Sequence, residues 1–131
     1  MKKQKICIIG GGLAGLVTAI CLSKLNCEID LIVGKTKKNL NSNKTLAISE
    51  SNLNFLKKMG ITEVKKYLWS CEEIKLYTEV KNQKFNEVLE IKNQRKAEQT
   101  IHIAENSKIL KLMINKVKKI KKISLKKNIK I

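Results

Sequence analysis

The stretch CIIGGGLAGLVTAI, which begins at Cys7, constrains the fold of this chain more than any other segment. The run KICIIG at 5–10 has the β-branched composition of a strand that is buried on both faces. A second apolar run, EIDLIV at 28–33, follows a segment in which apolar residues recur at helical spacing. The residues of that helical face are Leu13, Leu16, Val17, Ile20 and Leu25. This order predicts a βαβ unit with parallel strands and a right-handed crossover.

The glycines between the first strand and the helix match the G-x-G-x-x-G spacing of phosphate-binding turns. Gly10 permits the tight turn, Gly12 lets a pyrophosphate approach the backbone, and Gly15 lets the helix pack close to the strand. Free N–H groups at the positive end of the helix dipole would meet the phosphate. The context therefore predicts an ADP-containing ligand. The residues expected to bind it here are Gly10, Gly11, Gly12, Leu13, Ala14 and Gly15.

The end of the second strand lacks the acidic residue that normally accepts hydrogen bonds from the adenosine ribose. Val33 and Gly34 occupy that place and are expected to lie beside the ligand. Glu28 and Asp30 lie earlier in the strand and should point elsewhere. Two interpretations of the lysines that follow stay open. These lysines are Lys35, Lys37 and Lys38. They either favour binding of a 2′-phosphate, which would indicate NADP, or form a solvated loop.

Further along, a polar loop at 34–44 precedes a predicted helix at 49–60. Ser49 or Ser51 can cap this helix, and Gly60 supplies a left-handed stop. Its apolar stripe is Leu53, Leu56 and Met59.

The hydrophobic period then falls to two between residues 73 and 103. The segments IKLYTEV, KFNEVLEI and TIHI predict an antiparallel meander, with the first two strands joined through KNQ. Asn106 or Ser107 can cap a third helix, and the segment ISLKKNIKI resumes an extended pattern. The apolar face of this helix is Ile109, Leu110, Met113, Val117 and Ile120. The predicted fold class is α/β, a Rossmann-like βαβ start with an inserted antiparallel meander, within one domain at 1–131.

The formal net charge is +17, which alone would indicate an acidic partner. Phosphate and base recognition usually recruit arginine, but Arg95 is the single arginine, so we expect no nucleic-acid partner. Most of the excess lies at 108–131, where there are ten lysines and no acidic residue. This segment is either a helix with solvated lysines followed by a strand, or a basic module for anionic lipid or nucleic acid.

The cysteines Cys7, Cys21, Cys27 and Cys71 form no C-x-x-C pair, and the one histidine, His102, completes no zinc spacing. We expect buried, reduced thiols, no metal site and a cytoplasmic location. His102 is expected to be a surface or core histidine rather than a catalyst, so the catalytic residues are unknown. No apolar stretch reaches the length that spans a membrane.

Several segments, in order, resemble the N-terminal third of the flavin-dependent aromatic hydroxylases. They are the glycine segment, KTLAISESNLNFLKKMGI, WSCEEIKLY and IAENSKILKLMINKV. Within that family they most resemble the branch of the ubiquinone-biosynthesis hydroxylases, relatives of para-hydroxybenzoate hydroxylase. KTLAIS resembles that branch's R-T-x-A-L-S signature beside the flavin, with Lys44 in place of the arginine. Lysine keeps the charge but loses the bidentate fork.

The resemblance implies FAD as cofactor, with NADPH or NADH as reductant. It implies hydroxylation of a phenolic or quinol ring, in this branch a polyprenylated one at the inner face of the membrane. Lys44, Glu105 and Asn106 would lie near the flavin. The family's later G-D flavin motif and most of its substrate domain have no counterpart here, so the resemblance also implies an incomplete FAD-binding domain that is inactive alone.

One other enzyme class, a nicotinamide-dependent oxidoreductase with a simple Rossmann domain, would require βαβ units to continue after residue 60. The antiparallel pattern beyond that point counts against it. The oligomeric state stays open.

Overall fold

The computed structural model describes residues 3–34, 44–78, 85–92 and 101–127. Within them the α-helices are α1 (Leu13–Leu22), α2 (Glu50–Lys58) and α3 (Asn106–Lys118). The strands are β1 (Gln4–Ile9), β2 (Cys27–Val33), β3 (Thr45–Ser49), β4 (Leu68–Cys71), β5 (Glu73–Thr78), β6 (Asn86–Lys92), β7 (Ile101–Glu105) and β8 (Ile123–Lys127). A short 3-10 helix covers Glu63–Tyr67. The predicted α/β class is confirmed.

The first sheet is parallel and has the strand order β1-β2-β8. β1 pairs with β2 from Gln4 opposite Cys27 to Ile9 opposite Ile32, which confirms the predicted βαβ unit. β8 then adds to the other edge of β2, so the extended pattern near the end of the chain forms a strand as far as Lys127.

The helix of this unit is shorter than predicted. α1 ends at Leu22, and the chain turns through Ser23, whose N–H donates to the carbonyl of Ala19. Leu25 lies in the turn that leads into β2 and is 58% exposed, so its place on the helical face was wrong. The chain must reverse direction before β2, and Leu25 is part of the turn that makes this reversal.

α1 and α3 pack on one face of the parallel sheet. Ile29 and Leu31 of β2 are buried on that face, beside Leu16 of α1 and Ile123 of β8. On the opposite face Ile9 is 68% exposed. The prediction that the first strand is buried on both faces was therefore wrong.

The cysteine prediction was also wrong in part. Cys7 lies on the uncovered face and is exposed, Cys27 is buried, and Cys21 and Cys71 are partly buried. All four are free thiols.

The second sheet is antiparallel, with β7 between β3 and β4. The sequence pattern predicted neither β3 nor β4 as a strand. β5 and β6 form a separate hairpin, which confirms the first part of the meander, but β7 does not pair with β6. The three-stranded meander was thus wrong, because β7 buries His102 and Ala104 and pairs with strands distant in sequence. The KNQ connection lies outside the described residues.

Two of the predicted helix-end signals have the expected effect. Ser49 caps α2, since its side chain accepts a hydrogen bond from the N–H of Asn52 at 3.3 Å. Gly60 follows α2 with φ of 78°, a conformation that favours glycine. α3 begins without a side-chain cap at Glu105, so the capping roles given to Asn106 and Ser107 were wrong.

α3 buries its apolar stripe. Ile109, Met113 and Val117 are at most 2% exposed, and α3 packs against α1 and the sheets. The lysines of α3 therefore lie on a structural helix, which disfavours the basic-module interpretation. No helix in the described ranges is long and apolar enough to cross a membrane.

Candidate functional site

The glycine turn has the geometry of an anion-binding helix start. Gly10 follows β1 with φ of 125°, and its N–H donates to the carbonyl of Ile32 at 2.9 Å, which ties the turn to β2. Gly12 occupies the N-cap position of α1, where no side chain caps the helix. The first turn of α1 holds no acidic residue. The N–H groups of the first turn of α1 therefore have no side-chain acceptor. They are directed at the space beyond the helix start, which is where anions bind to helices.

The space around the glycines of the turn differs from one position to the next. A Cβ atom at Gly15 would overlap the carbonyl oxygen of Gly10, so α1 approaches β1 too closely for any other residue. A Cβ atom at Gly12 would meet no atom within 4 Å, which leaves this side of the turn open to a ligand. A Cβ atom at Gly11 would overlap the side chain of Val33.

The closeness of Gly11 and Val33 brings the end of β2 against the turn. The predicted position of Val33 and Gly34 beside the ligand stays a prediction. Val33 also lies opposite Lys127 of β8 in the parallel register. Lys35, Lys37 and Lys38 lie outside the described residues.

The two acidic residues of β2 are engaged away from this end. Glu28 pairs with Lys3, with 3.7 Å between the charged atoms. Asp30 pairs with Lys126 at 2.7 Å and with Lys5 at 3.3 Å. The hydrogen bond from Lys126 lowers the pKa of Asp30 below its usual value. Neither carboxylate is available to a ribose at the far end of the strand.

Lys44 and Glu105 meet at one end of the second sheet. The N–H of Asn106 donates to the carbonyl of Lys44 at 2.9 Å, and Glu105 lies opposite Thr45 in the β3–β7 register. Lys108 pairs with the carboxylate of Glu105 at 2.8 Å. The structure thus unites two residues that are far apart in the sequence.

An apolar cavity of about 470 Å³ adjoins the glycine turn, because Leu13 and Ala14 of the first turn of α1 belong to its wall. Its volume falls in the range of small-molecule and cofactor sites. The cavity is lined by Leu13, Ala14, Val17, Leu46, Ala47, Ile48, Asn52, Phe55, Leu56, Ile109 and Met113.

Sequence reasoning missed Asn52 and Phe55 as site residues. Asn52 is the polar side chain of the wall, and Phe55 is 43% exposed beside the buried stripe of α2. The sequence signal that could have identified Phe55 is its position outside the apolar stripe of α2, in a chain that has two phenylalanines.

His102 lies in a different place. It is 5% exposed, and its Nε2 lies 2.7 Å from Oε2 of Glu50 at the start of α2. This hydrogen bond lowers the pKa of Glu50. The Nδ1 atom is buried without a partner among the described residues. Those residues also contain no group of three or more His, Cys, Asp or Glu that could hold a metal ion.

Comparison with known proteins gives one family match. The model of the family described as FAD binding domain matches residues 3–128. No curated protein sequence matches the chain.

Solved structures share the fold. A p-nitrophenol 4-monooxygenase from Pseudomonas putida superposes with a TM-score of 0.69 at 14% identity, over 98% of this chain and 33% of that one. A 2-methyl-3-hydroxypyridine-5-carboxylic acid oxygenase superposes with a TM-score of 0.64 at 18% identity, over 95% of this chain and 32% of that one. The chain therefore spans about one third of the length of these structures.

Proposed function

The chain belongs to the FAD-binding domain family, and from this premise we propose that it is the FAD-binding part of a flavin-dependent monooxygenase that hydroxylates a phenolic or quinol ring. The observation that carries the proposal is the junction of the glycine turn with the apolar cavity. One end of this site offers helix N–H groups to phosphates, and the other offers aliphatic walls and Phe55 to a planar ring.

We expect FAD to contact the described residues in three places. The N–H groups at the start of α1 would donate to the diphosphate, and the open side of Gly12 leaves room for it. Val33 and Gly34 would lie beside the adenosine, without a carboxylate for its ribose. Lys44 and Glu105 would supply polar contacts nearer the flavin.

The flavin, when bound, supplies the redox and oxygen chemistry. The chain's own residues bind and orient it, and the aliphatic side chains of the cavity exclude water from one side of the ring.

The finer proposal rests on the sequence segments. The segment KTLAISESNLNFLKKMGI favours the ubiquinone-biosynthesis branch, with NADPH or NADH as reductant. A polyprenylated substrate would place the enzyme in the cytoplasm at the inner face of the membrane. Because the chain spans about one third of its solved relatives, we also propose that it is an incomplete part of such an enzyme and inactive alone.

FAD binding by the purified chain tests the proposal directly. Gly12→Asp places a carboxylate where the diphosphate would lie and should abolish retention of FAD in equilibrium dialysis. Loss of folding is not expected, because a Cβ atom there meets nothing within 4 Å and an acidic residue at a helix start is favourable.

Thr18→Asp is the matched control, because Thr18 is exposed on the same helix beyond its first turn. It should bind FAD like the wild type. A wild-type chain that does not retain FAD, or a Gly12→Asp chain that retains it equally, would overturn the proposal.

A further inference from the structure

α2 lines two cavities, with a different side of the helix facing each. Asn52 and Phe55 belong to the wall of the apolar cavity. Glu50 and Leu53 belong to the wall of a second cavity, of about 310 Å³, whose wall also contains His102. Residues three apart share one side of a helix, and residues two apart do not. A rotation of α2 that moves the side with Glu50 therefore also moves the side that lines the apolar cavity.

α2 is too short to hold its position by itself. It has nine residues, and isolated helices of that length are marginal in water. Its place therefore depends on contacts with other elements. Leu53 is buried, but apolar burial has no preferred direction, so it holds the helix down without fixing its rotation. A hydrogen bond is directional and can fix that rotation.

His102 makes such a hydrogen bond from the second sheet. Its Nε2 lies 2.7 Å from Oε2 of Glu50, the first residue of α2. An ionised carboxylate can only accept, so Nε2 carries the hydrogen and donates it. The side chain of His102 is 7% exposed, and its Nδ1 is buried without a partner among the described residues. The bond to Glu50 is thus the polar contact that orients this ring.

Another polar contact lies at the far end of α2. The Nζ atom of Lys24 donates to the carbonyl of Lys58 at 3.0 Å, and this hydrogen bond is exposed. His102 is buried, and hydrogen bonds shielded from water are electrostatically stronger than exposed ones. The bond from His102 is therefore the better placed of the two to fix the rotation of α2.

The strand that carries His102 also adjoins the other side of the apolar cavity. His102 lies opposite Ile48 in the β3–β7 register, and directly opposed residues share a face of a sheet. Ile48 belongs to the wall of the apolar cavity. The hydrogen bond to Glu50 therefore joins the sheet that forms one wall of this cavity to the helix that forms another.

We propose that His102 is a positioning residue for the apolar cavity, and that through Glu50 it holds α2 at the rotation in which Asn52 and Phe55 contact the flavin ring. The inference rests on the proposed function, because it requires the ring to occupy this cavity. Neither His102 nor Glu50 belongs to the cavity wall, so both act through α2 and not by touching the ring.

Binding of FAD and of ADP, each measured by equilibrium dialysis, tests the inference. ADP would use the glycine turn alone, whereas FAD would also use the cavity. Glu50→Ala and His102→Met each remove the hydrogen bond, so each should weaken FAD binding by roughly fivefold and leave ADP binding unchanged. Loss of folding is not expected for Glu50→Ala, because the side chain of Glu50 is 48% exposed.

Three further variants separate positioning from a general loss of structure. The double variant Glu50→Ala with His102→Met should bind FAD no more weakly than either single variant, because all three lack the same bond. His102→Gln should bind FAD more tightly than His102→Met, because the amide nitrogen of glutamine can donate in place of Nε2. Asn54→Ala is the matched control on α2 and should bind FAD like the wild type, because Asn54 is exposed and, among the described residues, belongs to neither cavity wall.

The outcomes distinguish this inference from the proposed function. Wild-type FAD binding that Glu50→Ala and His102→Met both retain would refute the positioning role and leave the proposed function in place. Equal weakening of FAD and ADP, or losses that add in the double variant, would also refute it. A wild-type chain that does not retain FAD would refute the proposed function, and the positioning role with it.

Discussion

Two glycines of the phosphate-binding turn are required for different reasons. Gly15 is required by the fold, because a Cβ atom there would overlap the backbone of Gly10. Gly12 is not required by packing, because the space beside it is open in the chain itself, and under the proposed function it is required by the ligand. Packing therefore explains the glycine at one position of the motif, and the proposed binding explains it at the other.

This difference predicts opposite results for two alanine variants. Gly15→Ala should lower the free energy of unfolding by roughly 3 kcal/mol, because the overlap can be relieved only by moving α1 away from β1. Gly12→Ala should change it by less than about 1 kcal/mol yet weaken FAD binding. Urea denaturation and equilibrium dialysis measure the two effects, and equal destabilisation by both variants would contradict the assignment.

The pair of His102 and Glu50 predicts an acid-sensitive contribution to stability. The hydrogen bond from His102 lowers the pKa of Glu50 below its usual 4.5. The pKa is then lower in the folded than in the unfolded chain, so the pair stabilises the fold above pH 4.5. That contribution is lost as the pH falls through the folded pKa.

Glu50→Gln removes the titrating group and keeps its size. The difference in unfolding free energy between wild type and variant should be largest above pH 4.5 and shrink below it. Urea denaturation across the acid range measures it. A difference that stays constant throughout that range would mean that the ionised carboxylate contributes nothing.

At the scale of elements, α3 is expected to behave as part of the core despite its lysines. Met113 is 1% exposed, so Met113→Ala should cost roughly 2–5 kcal/mol of unfolding free energy. Lys111 is exposed on the same helix, so Lys111→Glu should change it by less than about 0.5 kcal/mol. Similar small effects of both variants in urea denaturation would instead indicate a helix that packs weakly.

The elements that the sequence predicts best are those with local signals. α2 and the glycine turn carry their own signals at Ser49, Gly60 and the glycine spacing. β3 and β4 have no such signal, because they have five and four residues and owe their order to pairing with β7.

The same limit applies to the site. The turn was predictable from neighbouring residues, whereas the cavity joins residues as distant as Leu13 and Met113. Phe55 lines the cavity only because the fold brings α1, α2, α3 and β3 together.

At the scale of the whole molecule, the described residues leave several apolar surfaces open to solvent. One face of the parallel sheet leaves Ile9 exposed, the hairpin leaves Leu76 exposed, and the cavity leaves Phe55 exposed. Only the third concerns the chemistry directly. Oxygen chemistry on a flavin requires water to be excluded from the flavin ring. Because Phe55 in its wall is exposed, the cavity would shield such a ring only in part.

This predicts that the chain binds FAD without turning it over productively. In the presence of FAD, NADPH or NADH and a phenol, oxygen uptake and nicotinamide oxidation should be no faster than with free FAD alone. An oxygen electrode and nicotinamide absorbance measure the two rates. FAD binding in the same sample must be demonstrated, so that a lack of turnover is not a lack of cofactor.

The Gly12→Asp chain separates the possible outcomes. Phenol-dependent oxygen uptake that Gly12→Asp abolishes would contradict the prediction, because the chain alone would then both bind the flavin and shield it. Uptake that persists in Gly12→Asp would come from flavin outside the glycine turn and would leave the prediction intact. FAD binding without oxygen uptake is the expected result. The turn and the cavity would contact the cofactor from one side, and the exposure of Phe55 in the cavity wall indicates that the other side of the flavin ring would stay in contact with water.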